Sequence, residues 1–177
     1  IAETDKMPHV TFFFNAQNDD PFPREDRLMV PSPKVPNYAD TPEMSAAKLT
    51  DELLKRVESE EYSFILANFS NPDLVGHGGV LESVITACET VDLHLARLLS
   101  ALEEHGYDWI VTSDHGNSEQ MLYEDGSDCP THTLNPVQTF VHSDVISQDD
   151  LKDCGGLTDI APLVLKILGL EIPAEMQ

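Results

Sequence analysis

Five aspartate and histidine residues have types and spacings that could bind metal ions. Asp73 and His77 stand four residues apart, so on one helical turn their side chains would face the same way and could share one divalent cation. Asp114 and His115 are adjacent, so they could serve two neighbouring ions, or one ion and an orienting contact. His132 could complete a set of ligands from a separate loop. Each pair is common by chance, so the hypothesis depends on the elements that would bring them together.

Short runs of apolar, β-forming residues predict four strands. They cover residues 10–14, 64–69, 109–112 and 139–141. A proline-rich stretch, residues 15–38, separates the first strand from the next element, and its length is typical of a functional or mobile loop.

Three amphipathic helices are predicted between and after these strands. The first opens at Thr41 as N-cap and has an apolar face that recurs from residue 46 to residue 57. The second covers residues 81–102 and places Cys88 on its apolar face, so Cys88 is expected in the core. The third begins at Thr158 and ends at Gly169.

The alternation of strands and helices predicts an α/β fold with a mostly parallel sheet and helices on both faces. In such sheets the chemistry collects at the carboxyl ends of the strands. The Asp73/His77 pair follows the second predicted strand, and the Asp114/His115 pair follows the third. This joint placement indicates a di-metal hydrolase or phosphotransferase site.

Composition excludes several other classes. The chain has 177 residues, enough for one domain, with 32 acidic residues against 10 basic ones and a net charge of −22. Such a surface repels nucleic acid and anionic lipid, so neither is expected as a partner. No apolar run approaches the roughly 18 residues of a membrane helix, and no signal peptide is evident. The first residue is Ile rather than Met, which indicates processing or part of a longer product.

The three cysteines predict a reducing compartment, because their number is odd and no CxxC motif is present. Cys129 and Cys154 have no base beside them in the sequence and receive no role.

Several segments, in order and along nearly the whole chain, resemble the 2,3-bisphosphoglycerate-independent (cofactor-independent) phosphoglycerate mutases of the alkaline phosphatase superfamily. The segments are HVTFFFN (9–15), VPSPKV (30–35), TPEMSA (41–46), FILANFSNPDLVGHGG (64–79), VTSDHGN (111–117), THTLNPV (131–137) and DIAPLVLKILGLEIPAEM (159–176). The resemblance implies an alkaline-phosphatase-like domain. Residues 1–177 would be the C-terminal segment of its metal-binding phosphatase part, with the N-terminal part and the transferase domain absent. The loop after the first segment departs from the family, which usually has glycines there.

The resemblance also implies roles for individual residues. Asp73, His77 and His132 would bind one Mn²⁺, and Asp114 and His115 would help to bind a second. Lys6, just before the HVTFFFN segment, would contact the transferred phosphate. Mg²⁺ or Co²⁺ remains possible, since carboxylate and imidazole suit several ions.

The implied reaction interconverts 3-phosphoglycerate and 2-phosphoglycerate in glycolysis and gluconeogenesis, through a phosphoserine and without 2,3-bisphosphoglycerate. The family's nucleophilic serine has no counterpart in this chain, so the chain alone is expected to be inactive and poorly stable. The full-length protein is expected to be a cytoplasmic monomer acting on a small phosphorylated substrate. Two alternatives remain: another enzyme of the superfamily, such as a metal-dependent phosphatase or a phosphopentomutase, and a split or decayed product that only binds metal or a partner.

Overall fold

The computed structural model describes residues 1–151 and 155–176, and Cys154 lies outside them. Within these residues the helices are Met7–Val10 (α1), Ala46–Ser59 (α2), Asn71–Gly76 (α3), Leu81–Glu104 (α4) and Ile160–Ile167 (α5). The strands of the same part of the chain are Ala2–Glu3 (β1), Met29–Val30 (β2), Trp109–Thr112 (β3) and Thr139–His142 (β4).

Parallel pairing is concentrated around β1. Its Ala2 pairs with Met29 of β2 on one side and forms a parallel bridge to Asn68 on the other. The ammonium group of Ile1 donates to the carbonyl of Leu66 at 2.7 Å, which continues this second ladder. β3 and β4 form a separate antiparallel pair in which Trp109 faces His142 and Thr112 faces Thr139. The strands predicted at residues 109–112 and 139–141 are therefore confirmed.

The strand predicted at residues 10–14 is wrong. Pro8 stands at the start of α1, and the chain then turns, with the Phe13 amide donating to the Pro8 carbonyl at 3.0 Å and the Thr11 hydroxyl donating to the Met7 carbonyl at 2.8 Å. Phe13 and Phe14 are each 57% exposed. A run of β-formers makes a strand only where neighbours cover it, and here local hydrogen bonds take its place.

Residues 64–69 are largely without regular structure, and Asn68 alone of them enters a bridge. The strand predicted there is thus reduced to its last part. Phe64 at its start is exposed and stacks on Phe14 with ring centroids 6.0 Å apart.

The predicted apolar face of α2 is confirmed, since Ala46, Leu49, Leu53 and Val57 are all buried. The helix begins at Ala46 rather than after Thr41, because Met44 has a left-handed φ of 45° and interrupts the turn. The main core cluster joins this face to other elements: it consists of Val30, Leu49, Leu53, Val57 and Leu98.

The long helix α4 packs against both α2 and α3. Its buried stripe passes through Val84, Ala87, His94 and Leu98. The prediction that Cys88 lies in the core is wrong, because α4 turns its Ala87 rather than Cys88 toward α3 and leaves Cys88 exposed.

The last predicted helix is confirmed as α5, which follows a 3-10 turn at Leu157–Asp159 and takes Asp159, rather than Thr158, as its N-cap. Its last residue is Ile167, and Gly169, just past the C-cap Leu168, has a φ of 67°, the left-handed conformation that terminates helices. Among residues 1–151 and 155–176, no helix combines the length and apolar character needed to cross a membrane.

Candidate metal centre

Helix α3 positions the first two candidate ligands. Val75 of this short helix packs with Val84 and Ala87 of α4, which anchors α3 to the body of the protein. Asp73 and His77 then lie one turn apart on the other side, with Oδ1 of Asp73 3.2 Å from Nε2 of His77. The predicted convergence of this pair is therefore present in the structure.

His132 reaches the same carboxylate from a distant loop. Its Nε2 lies 3.0 Å from Oδ1 of Asp73, across 59 residues of sequence. One ligand atom from each of Asp73, His77 and His132 lies within 4.8 Å of the others, which is the spacing of a group that could hold an ion. The structure thus brings together all three residues of the first predicted site.

The tautomer of His77 suits a metal ligand. Its Nδ1 lies 2.7 Å from the carbonyl oxygen of Pro130, and a carbonyl can only accept, so Nδ1 carries the proton. In the neutral ring this tautomer leaves the lone pair on Nε2, the nitrogen that faces Asp73. A hydrogen bond from the outer nitrogen is the usual way in which proteins orient a ligating imidazole.

His115 lies beside this group, and Asp114 lies at its edge. The His115 ring stacks on His132 with centroids 3.6 Å apart, and its Nε2 is 3.9 Å from Oδ1 of Asp73 and 3.6 Å from Oδ1 of Asp114. Asp114 is exposed. The structure therefore places the second predicted pair next to the first group, with His115 as the link between them.

Lys6 also meets this cluster, but its partner is Asp73. Its ammonium lies 2.6 Å from Oδ2 of Asp73, and Lys6 is only 8% exposed. Burial alone would raise the pKa of Asp73, but the hydrogen bond and charge of Lys6, helped by Asn117 and His77, outweigh it and lower this pKa to about 2. The carboxylate is therefore ionised at neutral pH and ready to bind a cation.

Asn117 is a site residue that sequence reasoning did not single out. It is buried, and its Nδ2 donates to Oδ1 of Asp73 at 3.0 Å. Ser118, the next residue, donates to the carbonyl of Pro72 at 2.6 Å, so this segment is tied to the start of α3. The sequence does hint at this role, because Asn117 directly follows the Asp114–Gly116 segment and a polar side chain there can turn toward the neighbouring loop.

His9 is an exposed residue near this cluster. Burial and the charge of Lys6 lower its pKa, while Asp114 and Asp73 act to raise it. The charges of the candidate centre thus act on His9.

The donor set fits a divalent cation. One ionised carboxylate oxygen and two imidazole nitrogens converge, a combination that suits Mn²⁺, Co²⁺ or Zn²⁺ and is open enough to admit further ligands.

An α/β fold that carries a carboxylate and two imidazoles in one cluster is typical of a metal-dependent enzyme. Comparison with known protein families agrees: the model of the metalloenzyme superfamily matches residues 1–172, and the chain belongs to that superfamily. The chain is 46% identical over 177 residues to the 2,3-bisphosphoglycerate-independent phosphoglycerate mutase of Clostridium novyi and 47% identical over 180 residues to that of Chloroflexus aggregans. Each alignment covers 99% of this chain but only 35% and 33% of the relatives.

A solved structure gives the same result. The chain matches crystal structures of Leishmania mexicana phosphoglycerate mutase at low cobalt concentration with a TM-score of 0.90 and 31% identity, over 99% of this chain and 36% of that one. The predicted resemblance and the α/β, alkaline-phosphatase-like fold class are confirmed. The chain spans about a third of the length of the relatives that it matches.

Proposed function

We propose that this chain supplies the metal-binding part of a phosphoglycerate mutase that interconverts 3-phosphoglycerate and 2-phosphoglycerate. The convergence of Asp73, His77 and His132 carries this proposal, because three ligand atoms from two separated segments meet within 4.8 Å. The names of the relatives support the substrate, since those proteins are phosphoglycerate mutases. The alternatives are a metal-dependent phosphatase and a phosphopentomutase, and analysis of the reaction product would distinguish them from a phosphoglycerate mutase.

Each residue of the cluster has a distinct task in this proposal. Asp73, His77 and His132 would hold one ion, and Asp114 and His115 would contribute to a second. A bound divalent cation would neutralise phosphoryl oxygens and lower the pKa of an attacking hydroxyl. Lys6, which now pairs with Asp73, would place its ammonium against the phosphate, where the transition state spreads negative charge over the oxygens.

The proposal includes a nucleophile from outside these 177 residues. The resemblance assigns that role to a serine that has no counterpart in this chain, so we expect no mutase activity from this chain alone. Residues 1–177 would then be the C-terminal segment of the phosphatase domain. The exposed apolar side chains of Phe13, Phe22 and Met29 support this arrangement, because further protein covering them would bury substantial apolar surface.

The finer expectations belong to the same proposal: two Mn²⁺ per protein of natural length, a monomer, and a cytoplasmic location. Metal content of the purified protein and light scattering on a sizing column test the first two. Fractionation of the source cells tests the third.

The deciding experiment measures Mn²⁺ binding by electron paramagnetic resonance in the protein at its natural length. His132→Ala should abolish binding at the first site, because the loop ligand is lost. His105→Ala is the matched control, since His105 pairs with Glu60 at 3.0 Å and is not one of the three clustered ligands.

A wild-type protein that binds no divalent cation would refute the proposal. Metal binding without conversion of 3-phosphoglycerate, followed by ³¹P nuclear magnetic resonance, would instead favour the alternative of a non-catalytic metal- or partner-binding module. Robust turnover by the purified 177-residue chain would refute the expectation that the nucleophile lies elsewhere.

A further inference from the structure

The two loops that bring His115 and His132 to the site are joined side by side. The Thr133 amide donates to the Gly116 carbonyl at 2.9 Å, and these two residues form an antiparallel bridge. Each of them directly follows one of the histidines. The bridge therefore bears directly on how far apart the two imidazoles lie.

One carboxylate, that of Glu119, binds both loops. Its Oε2 accepts a hydrogen bond from the Asn117 amide at 2.6 Å, on the His115 side. Its Oε1 accepts from the Thr133 hydroxyl and from the Asn135 side-chain amide, the latter at 2.9 Å, on the His132 side. Burial acts to raise the pKa of Glu119, but these hydrogen bonds outweigh it and the pKa is lowered. Glu119 is thus an ionised linker between the two loops.

We propose that Glu119 is a positioning residue that sets the separation of His115 and His132 and thereby the metal affinity of the centre. The inference rests on the proposed metal-binding function. The two imidazole rings that it would control are stacked, with centroids 3.6 Å apart and an interplanar angle of 20°. Such a close pair leaves little room for either loop to move without displacing a nitrogen that faces Asp73.

The Glu119 carboxylate lies close against the backbone of Gly116. A side chain at Gly116 would place its Cβ 2.5 Å from Oε1 of Glu119, so this glycine is what allows the loops to approach. Glu119 itself is exposed, so it acts on the two loops through its hydrogen bonds.

The chemistry of the linker requires a carboxylate. The Asn117 amide and the Asn135 side-chain nitrogen are both donors, and they bind opposite oxygens of Glu119. A glutamine has one oxygen and one NH₂ group, so in either orientation it would set a donor against a donor. Glu119→Gln therefore loses either the hydrogen bond to the Asn117 amide or the one to the Asn135 side chain, while preserving the size of the side chain.

The test measures Mn²⁺ affinity by electron paramagnetic resonance in the protein at its natural length. We expect Glu119→Gln to weaken binding about 10- to 100-fold, the usual loss when a group that orients ligands is changed. The visible spectrum of the Co²⁺-loaded variant should also change, because the ligand geometry changes. Asp125→Asn is the matched control: it removes a carboxylate from the same segment, where Asp125 accepts from the Ser127 amide at 2.9 Å, and it should leave both readouts unaltered.

Glu119→Asp distinguishes the effect of linking the two loops from the effect of the negative charge alone. Aspartate keeps the negative charge but is one methylene too short to reach both loops, so it should also lose affinity. Wild-type affinity in Glu119→Asp alongside a loss in Glu119→Gln would overturn the inference, because charge alone would then explain the effect. Affinity within about twofold of wild type in Glu119→Gln, against the loss expected above, would overturn it as well.

A second pair of variants keeps the test decisive if Glu119→Gln fails to fold. Thr133→Val removes the hydroxyl that donates to Glu119 and should weaken Mn²⁺ binding, whereas Thr133→Ser keeps the hydroxyl and should retain it. Equal affinity of these two variants would overturn the inference. A wild-type protein that binds no Mn²⁺ would instead refute the proposed function, on which the inference depends.

Discussion

Replacing Gly76 by alanine tests the packing behind the candidate centre. Gly76 is the last residue of α3 and has no left-handed φ. By local rules alone, alanine there should stabilise the protein by about 0.4–1 kcal/mol, because it restricts the unfolded chain. The structure predicts the opposite sign. A Cβ at Gly76 would lie 2.5 Å from Oδ1 and 3.0 Å from Cγ of Asn117.

The size of the effect follows from what Asn117 must give up. The side chain is buried, so moving it imposes an overpacking cost of about 1–3 kcal/mol. Moving it also breaks its hydrogen bond to the ionised Asp73, worth about 1.5–3 kcal/mol. The stabilisation expected from restricting the unfolded chain is subtracted from these two costs. Gly76→Ala should then lower the free energy of unfolding by about 2–5 kcal/mol, which corresponds to a fall in Tm of about 4–20 °C.

Thermal and urea denaturation of the metal-free protein, followed by circular dichroism, measure this effect. The control is the same substitution in an Asn117→Ala background, where the obstructing atoms are gone. There Gly76→Ala should be neutral or stabilising, so the cycle should show strong coupling between the two positions. An unchanged or raised Tm for Gly76→Ala alone, or an equal loss in both backgrounds, would refute the reasoning.

Three further predictions concern the core and two buried charges. Leu53→Ala should lower the free energy of unfolding by about 2–5 kcal/mol in urea denaturation, because Leu53 is 1% exposed; an unchanged transition would contradict this. Burial raises the pKa of Glu3, so stability present below about pH 4 is lost as pH rises through the raised pKa. Glu3→Gln should remove this loss in melts from pH 4 to 8, and parallel profiles would contradict it. Asp73 has its pKa lowered to about 2, chiefly through Lys6, so its contribution is present above about pH 4 and lost toward pH 2. Lys6→Met should flatten this acid loss in the metal-free protein, and an unaltered acid titration would contradict it.

Local patterns predicted the helices better than the strands. The spacing of Leu49, Leu53 and Val57 identified the buried face of α2, because an amphipathic helix encodes its own orientation at intervals of three and four residues. The apolar run at residues 10–14 does not specify in this way which of its side chains are buried. Strand formation depends on a partner elsewhere in the chain, and Phe13 and Phe14 have none that buries them.

In the candidate site, too, local sequence spacing predicted some features and not others. The sequence alone determined that Asp73 and His77 would face one direction, since their separation is one helical turn. It also indicated, through resemblance, that His132, His115 and Lys6 belong near them.

Only the tertiary structure decided how these groups meet. Packing of α3 on α4 turns Asp73 toward Lys6, and the bridge between Gly116 and Thr133 brings His115 against His132. The contacts of Asn117 and Glu119 exist only once these loops are closed. Side chains distant in sequence share no local geometry, so their distances are set by the packing of the elements between them.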